Sequence, residues 1–371
     1  MSLFDKLNQK AFDLGLPLNV HLDVTYRCNE RCEHCYLDHV DHGEMTTAEI
    51  RGVLRQLQEA GVFFLTLSGG EPLMRRDCFE IIEYARSLSF QVKLKSNAVL
   101  ITRKDAARLR TLGVGEVQVS VYSHRPEIHD GITKLPGSLA RTLAGIAVLT
   151  AEGVKVTVAN VLMRGNAQDS EGVHSLAGQI GAQYTLDPTI TPMMSGDTGV
   201  LDLRIPSSEL NELFHKSKLV GDVQQFCAPP PAVDEDVLDG FPCSAGHTAC
   251  YISPYGDVYP CVQFPLTCGN VRLQSFSDIW KDSPQFREVR SIRARHLTTC
   301  SGCGHVGSCT RCPGLAFLEG DMRGPSSADC EKSYVRTGMV TAGMVARQSS
   351  AIALVQIAPL PPAADCFHGA A

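Results

Sequence analysis

The chain has 371 residues, 44% of them hydrophobic and 20% charged, with a formal net charge of -6 at pH 7. This is the composition of a globular protein with room for roughly two domains, and it excludes the disordered and fibrous classes. No stretch reaches the roughly 20 uncharged apolar residues of a membrane span, MSLFDKLNQK lacks a secretory apolar segment, and no Lys/Arg run offers a footprint for nucleic acid.

Taken in chain order, residues 1–17 are an N-terminal segment. Six short β-branched runs follow: VHLDVT (20–25), FFLTLS (63–68), FQVKLK (90–95), EVQVSVY (116–122), VKVTVAN (154–160) and AQYTLD (182–187). These read as buried strands. Helical patterns separate them. Ile50, Val53, Leu54 and Leu57 recur behind a Thr46/Glu49 capping box; Asp77 and Glu80 repeat that device ahead of Ile81, Ile82 and Ala85; Leu139, Leu143, Ile146 and Leu149 form a further stripe. Gly61, Gly113, Gly153 and Gly181 close helices where a left-handed cap needs no Cβ. Strict alternation of strand and helix over residues 18–220 predicts a parallel sheet, open or as a closed or partial barrel, with its chemistry at the strands' C-terminal ends.

Pro206 to Val220 reads as one more helix, and residues 221–242 as a linker rich in proline and acid. Residues 243–335 are rich in Cys and Gly with few long periodic segments, as expected where metals replace an apolar core. Residues 336–371 complete a short helix near Tyr334 to Ala346 and end in a loose tail that carries Cys366 and His368. With 15 cysteines and no export signal, the thiols read as metal ligands or redox groups in a reducing cytoplasm rather than as disulfides.

The first cysteine group, CNERCEHCY, lies on the loop after the first strand and places Cys28, Cys32 and Cys35 in a C-x3-C-x2-C spacing. Three thiolates can hold three irons of a [4Fe-4S] cube and leave the fourth iron open. The competing reading is a zinc knuckle that borrows His34 or His42.

The triad, with Tyr36 directly after its last cysteine, resembles the signature of the radical S-adenosylmethionine (SAM) superfamily. That resemblance implies that SAM itself supplies the missing ligand through its amino and carboxylate groups. SGGEP, Ser68 to Pro72, is similar to the family's stretch that meets the methionine amino group, which implies cosubstrate roles for Gly69, Gly70, Glu71 and Pro72. KSNAVLIT resembles the Thr-Asn-Gly segment and implies Ser96 and Asn97, with Ala98 where glycine is usual; VSVYS places Ser120 where relatives contact ribose or carboxylate.

The second cysteine group reads C-x12-G-x4-C, a gap, C-x2-C-x5-C-x2-C, a gap, and C, which resembles the SPASM extension of radical SAM enzymes. The resemblance implies two auxiliary [4Fe-4S] clusters. Cys300, Cys303, Cys309 and Cys330 would hold the outer one and Cys243, Cys261 and Cys312 the inner one. Cys250 is the candidate for the inner cluster's fourth ligand; Cys268, Cys227 or an open iron are alternatives, and a zinc ribbon is the competing reading of the pairs. Sulfatase-maturing relatives carry an acid directly after the equivalent of Cys261, whereas this chain reads CVQF, which argues against sulfatase oxidation. Asp23 and Asp187 are the candidate acids near the sheet's mouth, and Cys78, which opens a helix, is expected to be packed rather than reactive.

The expected architecture is therefore α/β: a partial (β/α)6 TIM-like barrel followed by a Cys-rich SPASM iron-sulfur domain. The expected activity is reductive cleavage of SAM to a 5'-deoxyadenosyl radical that takes hydrogen from a peptide, maturing a ribosomally made precursor. Its competitors are radical chemistry on a small molecule or tetrapyrrole, and a non-catalytic zinc-binding scaffold. Expected partners are the peptide substrate, an electron donor such as ferredoxin or flavodoxin, and a separate leader-peptide-binding protein, since the N-terminal segment is short for a winged helix. Neither nucleic acid nor membrane is expected as a partner.

Overall fold

The structure, a computed structural model, describes residues 3–349. Six parallel strands run side by side in chain order: β1 (Asn19–Thr25), β2 (Phe64–Gly69), β3 (Gln91–Ser96), β4 (Glu116–Ser120), β5 (Val156–Val161) and β6 (Gln183–Asp187). Helix α1 (Leu3–Asp13) precedes them, and α2 (Thr47–Glu59), α3 (Cys78–Ser87), α4 (Arg103–Thr111), α5 (Pro126–Thr133), α6 (Ser138–Ala151) and α7 (Ser170–Gln179) fall between or before the later strands. Consecutive parallel strands with right-handed crossovers place their helices on one face of the sheet.

The two-residue period of the strands decides which face that is. Val20, Leu22, Val24, Leu65, Leu67, Val92, Leu94, Val117, Val119, Val156 and Val158 turn toward the helices and form one core with Ile50, Leu54, Leu57, Ile81, Ile82, Leu109, Ile146 and Leu149. The alternating positions are polar and occupy the concave side. There Lys93 pairs with Glu116 at 3.1 Å and Lys155 approaches the same carboxylate at 3.8 Å. An apolar convex layer and a polar hollow are what a barrel needs to hold a charged cofactor.

The segment that begins at Cys243 continues this sheet. Strand β7 (Ala249–Ile252) pairs parallel to β1, from Asn19↔Ala249 to Leu22↔Ile252, and β8 (Asp257–Tyr259) and β9 (Gly269–Asn270) add antiparallel to it. The sheet order is β6-β5-β4-β3-β2-β1-β7-β8-β9, so its edges are β6 and β9 and the barrel is partial. Helix α1 docks on the same region: the Phe12 ring lies 4.4 Å from Phe241 and stacks 4.8 Å from His247, and Trp280 Nε1 donates to the Gly15 carbonyl at 2.7 Å.

Several local expectations are refined. The Thr46/Glu49 capping box is present at the start of α2. Asp77 stands at the start of α3 without capping it, because its carboxylate accepts from Arg75 Nε at 2.9 Å, Arg75 Nη2 at 2.6 Å and Thr47 Oγ1 at 2.6 Å. Gly61, Gly113, Gly153 and Gly181 all take the left-handed conformation, and Cys78 is buried in the core. The single helix expected over Pro206–Val220 is two, Ser207–Phe214 and Ser217–Val220; the linker contains the short helices Val223–Phe226 and Glu235–Asp239. The helix expected near Tyr334–Ala346 is instead Ser327–Thr337 and Ala342–Ser349, separated where Gly338 turns left-handed with φ 73°. Cys366, His368 and the expected loose tail lie outside the described residues. Among the described residues no helix is long and apolar enough to cross a membrane.

Candidate radical and iron-sulfur site

The loop after β1 is anchored by its own backbone. Arg31 N donates to the Thr133 carbonyl at 2.9 Å and Glu33 N to the Ile132 carbonyl at 3.0 Å, which ties the loop to the end of α5, and Cys35 N closes onto the Cys32 carbonyl at 3.0 Å. Cys28, Cys32 and Cys35 then line a cavity of about 580 Å³ at the C-terminal ends of the strands. Tyr36, Gly69, Gly70, Ser96, Asn97, Ser120 and Asp187 line it too. The cavity thus gathers most of the residues singled out in the first half of the sequence.

The glycines matter for closeness to protein backbone. A Cβ at Gly69, whose φ is +128°, would lie 2.0 Å from the Thr25 carbonyl oxygen, and one at Gly70 would lie 2.4 Å from that of Arg27. Only a bare backbone lets the exit of β2 pass under the cysteine loop. Glu71 is engaged by the protein's own donors. Its carboxylate is fully buried and accepts from Ser96 Oγ at 3.0 Å, Asn97 N at 2.8 Å and Leu73 N at 3.1 Å. It pins the exits of β2 and β3 together and does not line the cavity; Pro72, which starts the following short turn, is buried behind it. Asn97 continues the join: Nδ2 donates to Asn29 Oδ1 at 2.9 Å, and Ala98 accepts a left-handed φ of 60° where the family's glycine is usual.

Burial pushes the Glu71 carboxyl up from 4.5 to about 7. A raised folded value favours the protonated form, so the group's contribution to stability is present below 4.5 and is lost as pH rises through about 7. The full span is worth about 3 kcal/mol. Glu71→Gln, measured by thermal unfolding of the reconstituted protein at pH 5 and pH 7.5, is therefore expected to lie below wild type and to show a smaller loss between the two pH values.

The donor set fits an iron-sulfur group. Glu30 N donates toward Cys28 Sγ at 3.4 Å, Tyr122 Oη toward Cys32 Sγ at 3.7 Å and Asn97 Nδ2 toward Cys28 Sγ at 3.9 Å. Burial holds the Cys28 thiol up to about 12 and raises those of Cys32 and Cys35, so thiolates become favourable here only when iron compensates their charge. His34 is half-buried, edge-on to Tyr122 at 4.9 Å, and its buried Nδ1 has no partner among the described residues. His42 points elsewhere, to Asp38 at 2.7 Å.

The second cysteine field separates into two places. Cys300, Cys303, Cys309 and Cys330 line a cavity of about 270 Å³ together with Arg311 and His305. Ser333 Oγ donates toward Cys309 Sγ at 3.2 Å and Ala342 N toward Cys303 Sγ at 3.4 Å. Arg311 Nη1 and His305 Nδ1 are buried there without a partner among the described residues, which suits a compact anionic cluster. Cys243, Cys261 and Cys312 form the other group: Cys261 feels Cys243 through space, and Cys312 feels Cys261. Cys312 caps the helix Pro313–Leu318, its sulfur accepting from Leu315 N at 3.5 Å.

Cys250, offered by the sequence as this trio's fourth ligand, sits on β7 in the main apolar core, where the charge it feels most strongly is that of Cys268. Neither it nor Cys268 lines either cavity. Cys227 lies apart, its thiol against the Phe214 carbonyl at 3.6 Å.

The segment after Cys261 reaches back to the first cavity. Val262 and Gln263 form part of its wall, and Gln263 Nε2 donates to Thr191 Oγ1 at 2.9 Å. The position where sulfatase-maturing relatives carry an acid thus faces the same space with a valine. Asp23 is buried behind the cavity wall, accepting from Tyr251 Oη at 2.9 Å and lying 3.0 Å from His21 Nε2. Lining residues not singled out from sequence include His21, which Asp23 orients, and Lys95. Both stand at alternate strand positions facing the hollow, and that alternation was the available signal.

Comparison with known proteins agrees with this geometry. The Radical SAM superfamily profile matches residues 22–176, and that of SPASM, an iron-sulfur cluster-binding domain, matches residues 243–304. Mycofactocin maturase MftC of Mycobacterium tuberculosis is 31% identical over 328 residues, covering 84% of this chain and 82% of the relative. The AdoMet-dependent heme synthase of Methanosarcina barkeri is 29% identical, covering 81% and 92%, and the PqqA peptide cyclase of Xanthomonas campestris pv. campestris is 30% identical, covering 95% and 97%. Among solved structures, Streptococcus suis SuiB bound to S-adenosylmethionine superposes with a TM-score of 0.70 at 18% identity, covering 85% of this chain and 77% of SuiB. SuiB bound to its precursor peptide SuiA gives a TM-score of 0.69.

Proposed function

We infer, from the premise that this chain belongs to the radical SAM superfamily and carries its SPASM extension, that it matures a ribosomally synthesised peptide. It is an enzyme that binds SAM at a [4Fe-4S] cluster and holds auxiliary iron-sulfur clusters. When bound, cluster and cosubstrate supply one-electron cleavage of SAM and a 5'-deoxyadenosyl radical able to take hydrogen from an unactivated C-H bond. In this reading Cys28, Cys32 and Cys35 hold the first cluster, Cys300, Cys303, Cys309 and Cys330 the outer auxiliary one, and Cys243, Cys261 and Cys312 three corners of the inner one. Gly69, Gly70, Ser96, Asn97 and Ser120 shape the cosubstrate's berth, and the surrounding wall excludes water from the reacting carbon.

One observation carries the reading: a single cavity is bounded both by the cysteine triad and by the residues that follow Cys261. A substrate held there lies between the radical source and the auxiliary region. The names of MftC, PqqA peptide cyclase and SuiB with its peptide SuiA support a peptide substrate. The heme synthase similarity supports the second reading, chemistry on a tetrapyrrole. The place of action in this reading is the cytoplasm, whose reducing conditions keep thiols available as metal ligands. A ferredoxin or flavodoxin would supply the electron, and a separate protein would bind a leader peptide.

The test is anaerobic reconstitution with iron and sulfide, reduction by dithionite and addition of SAM. About twelve irons per chain and formation of 5'-deoxyadenosine are expected. Mass change in a peptide encoded beside the gene, rather than in a porphyrin, distinguishes the two substrate readings. Cys309→Ala is expected to lose about four irons and substrate turnover while retaining measurable 5'-deoxyadenosine formation; loss of both activities together would show that the outer cluster is not separable from the radical site.

A further inference from the structure

We propose that Lys95 anchors a carboxylate of the substrate, which makes this a chamber for peptides presenting an acidic group beside the reacting carbon; the proposal rests on the cavity being the substrate chamber. Lys95 is on β3. Val92 and Leu94 of that strand enter the convex core, so Lys95 projects into the hollow, opposite Gln118 on β4. It is the only lysine or arginine among the residues that line the cavity.

Its neighbours leave it unsatisfied. Lys93, two residues earlier on the same face, is neutralised by Glu116 at 3.1 Å. Lys95, by contrast, forms no hydrogen bond or ion pair among the described residues, and acts on Asp23, Asp187 and Cys261 only through space. Asp23 is already engaged by Tyr251 and His21, and Asp187 accepts from Thr189 N at 2.9 Å. Burial works against the ammonium, which an arriving anion would relieve. Gln118, opposite it on β4, and Thr185, which lines the same cavity, are neutral donors suited to a carboxylate's remaining lone pairs. With SAM already bound at the open iron, an anion then taken up beside Lys95 is that of the second reactant. Apolar lining from Tyr36, Leu37, Tyr122, Val161 and Ile190 leaves room for side chains beside it.

A peptide has two sources of carboxylate, its C-terminus and an Asp or Glu side chain. Titration calorimetry on the full-length, anaerobically reconstituted protein saturated with SAM separates them with three probes: N-acetyl-Gly-Leu-Phe acid, its C-terminal amide, and N-acetyl-Glu-Leu-Phe amide. At least one acidic probe is expected to bind about tenfold more tightly than the neutral amide, the scale of a charge-assisted hydrogen bond, and its identity names the source. Lys95→Met is expected to erase that preference and Lys95→Arg to retain it. Equal affinity of the three probes, absence of binding by all three included, overturns the proposal. So does a preference that survives in Lys95→Met, or a Lys95→Met protein that loses affinity for SAM while the wild type shows no acid preference. Formation of 5'-deoxyadenosine by the wild type is scored separately, so a failure of the radical reading and a failure of the carboxylate site give different results.

Discussion

Cys35→Ala is expected to bring SAM cleavage down to background while the protein keeps its fold and about eight of about twelve irons, the count for two remaining cubane clusters. The fold survives because the loop is tied independently of any metal, through Arg31 N to the Thr133 carbonyl and Glu33 N to that of Ile132. What is lost is one of the three protein ligands, and a cube already short of one ligand by design has no spare thiol nearby: Cys78 is buried in the convex core and Cys250 lies on β7. Iron analysis, circular dichroism and 5'-deoxyadenosine assay on one preparation read the three consequences. Retention of SAM cleavage would remove the triad from the chemistry.

Gly69→Ala is the second large effect, and it acts through backbone rather than ligand. A methyl at this position would stand 2.0 Å from the Thr25 carbonyl oxygen, on a residue whose φ of +128° disfavours any side chain. Thr25 is the last residue of β1 and pairs with Gly69 just after a register shift, so the clash cannot be relieved without moving the start of the cysteine loop. Destabilisation by about 4 kcal/mol or more is expected, with loss of iron from the first cluster before the auxiliary ones. Gly178→Ala on α7 is the control. Nothing lies within 4 Å of its added Cβ, and helix propensity alone makes it neutral or stabilising by up to about 1 kcal/mol. Denaturant unfolding and iron content of the two variants distinguish steric closeness from a general intolerance of change.

Much of the site was legible because its elements are long or carry their own chemistry. The alternation V-H-L-D-V, L-T-L-S, V-K-L-K and V-Q-V-S marks strands with one apolar and one polar face, and the cysteine spacings place metal ligands on loops without any tertiary information. What the sequence concealed depends on contacts between distant segments. Strands β7, β8 and β9 span only Ala249–Ile252, Asp257–Tyr259 and Gly269–Asn270, too short to show a period, and they exist because β1 offers a free edge. Asp77 has the sequence of a helix cap, yet Arg75 and Thr47 compete for its carboxylate more successfully than the helix N-H groups. Glu71 lies in a motif associated with the cosubstrate, but donors at the exit of β3 surround it. Lys95 looked like any strand lysine until the fold showed that Lys93 has a partner and Lys95 faces the cavity.

The central claim is that Cys28, Cys32 and Cys35 leave one iron free for SAM. Electron-nuclear double resonance on the reduced protein, with nitrogen-15 and oxygen-17 in the methionine part of SAM, tests it most directly, because the label isolates the first cluster from the auxiliary ones. Couplings from both the labelled amino nitrogen and the labelled carboxylate oxygen are the expected result. A first cluster that forms with four protein ligands and shows neither coupling at saturating SAM would contradict the account.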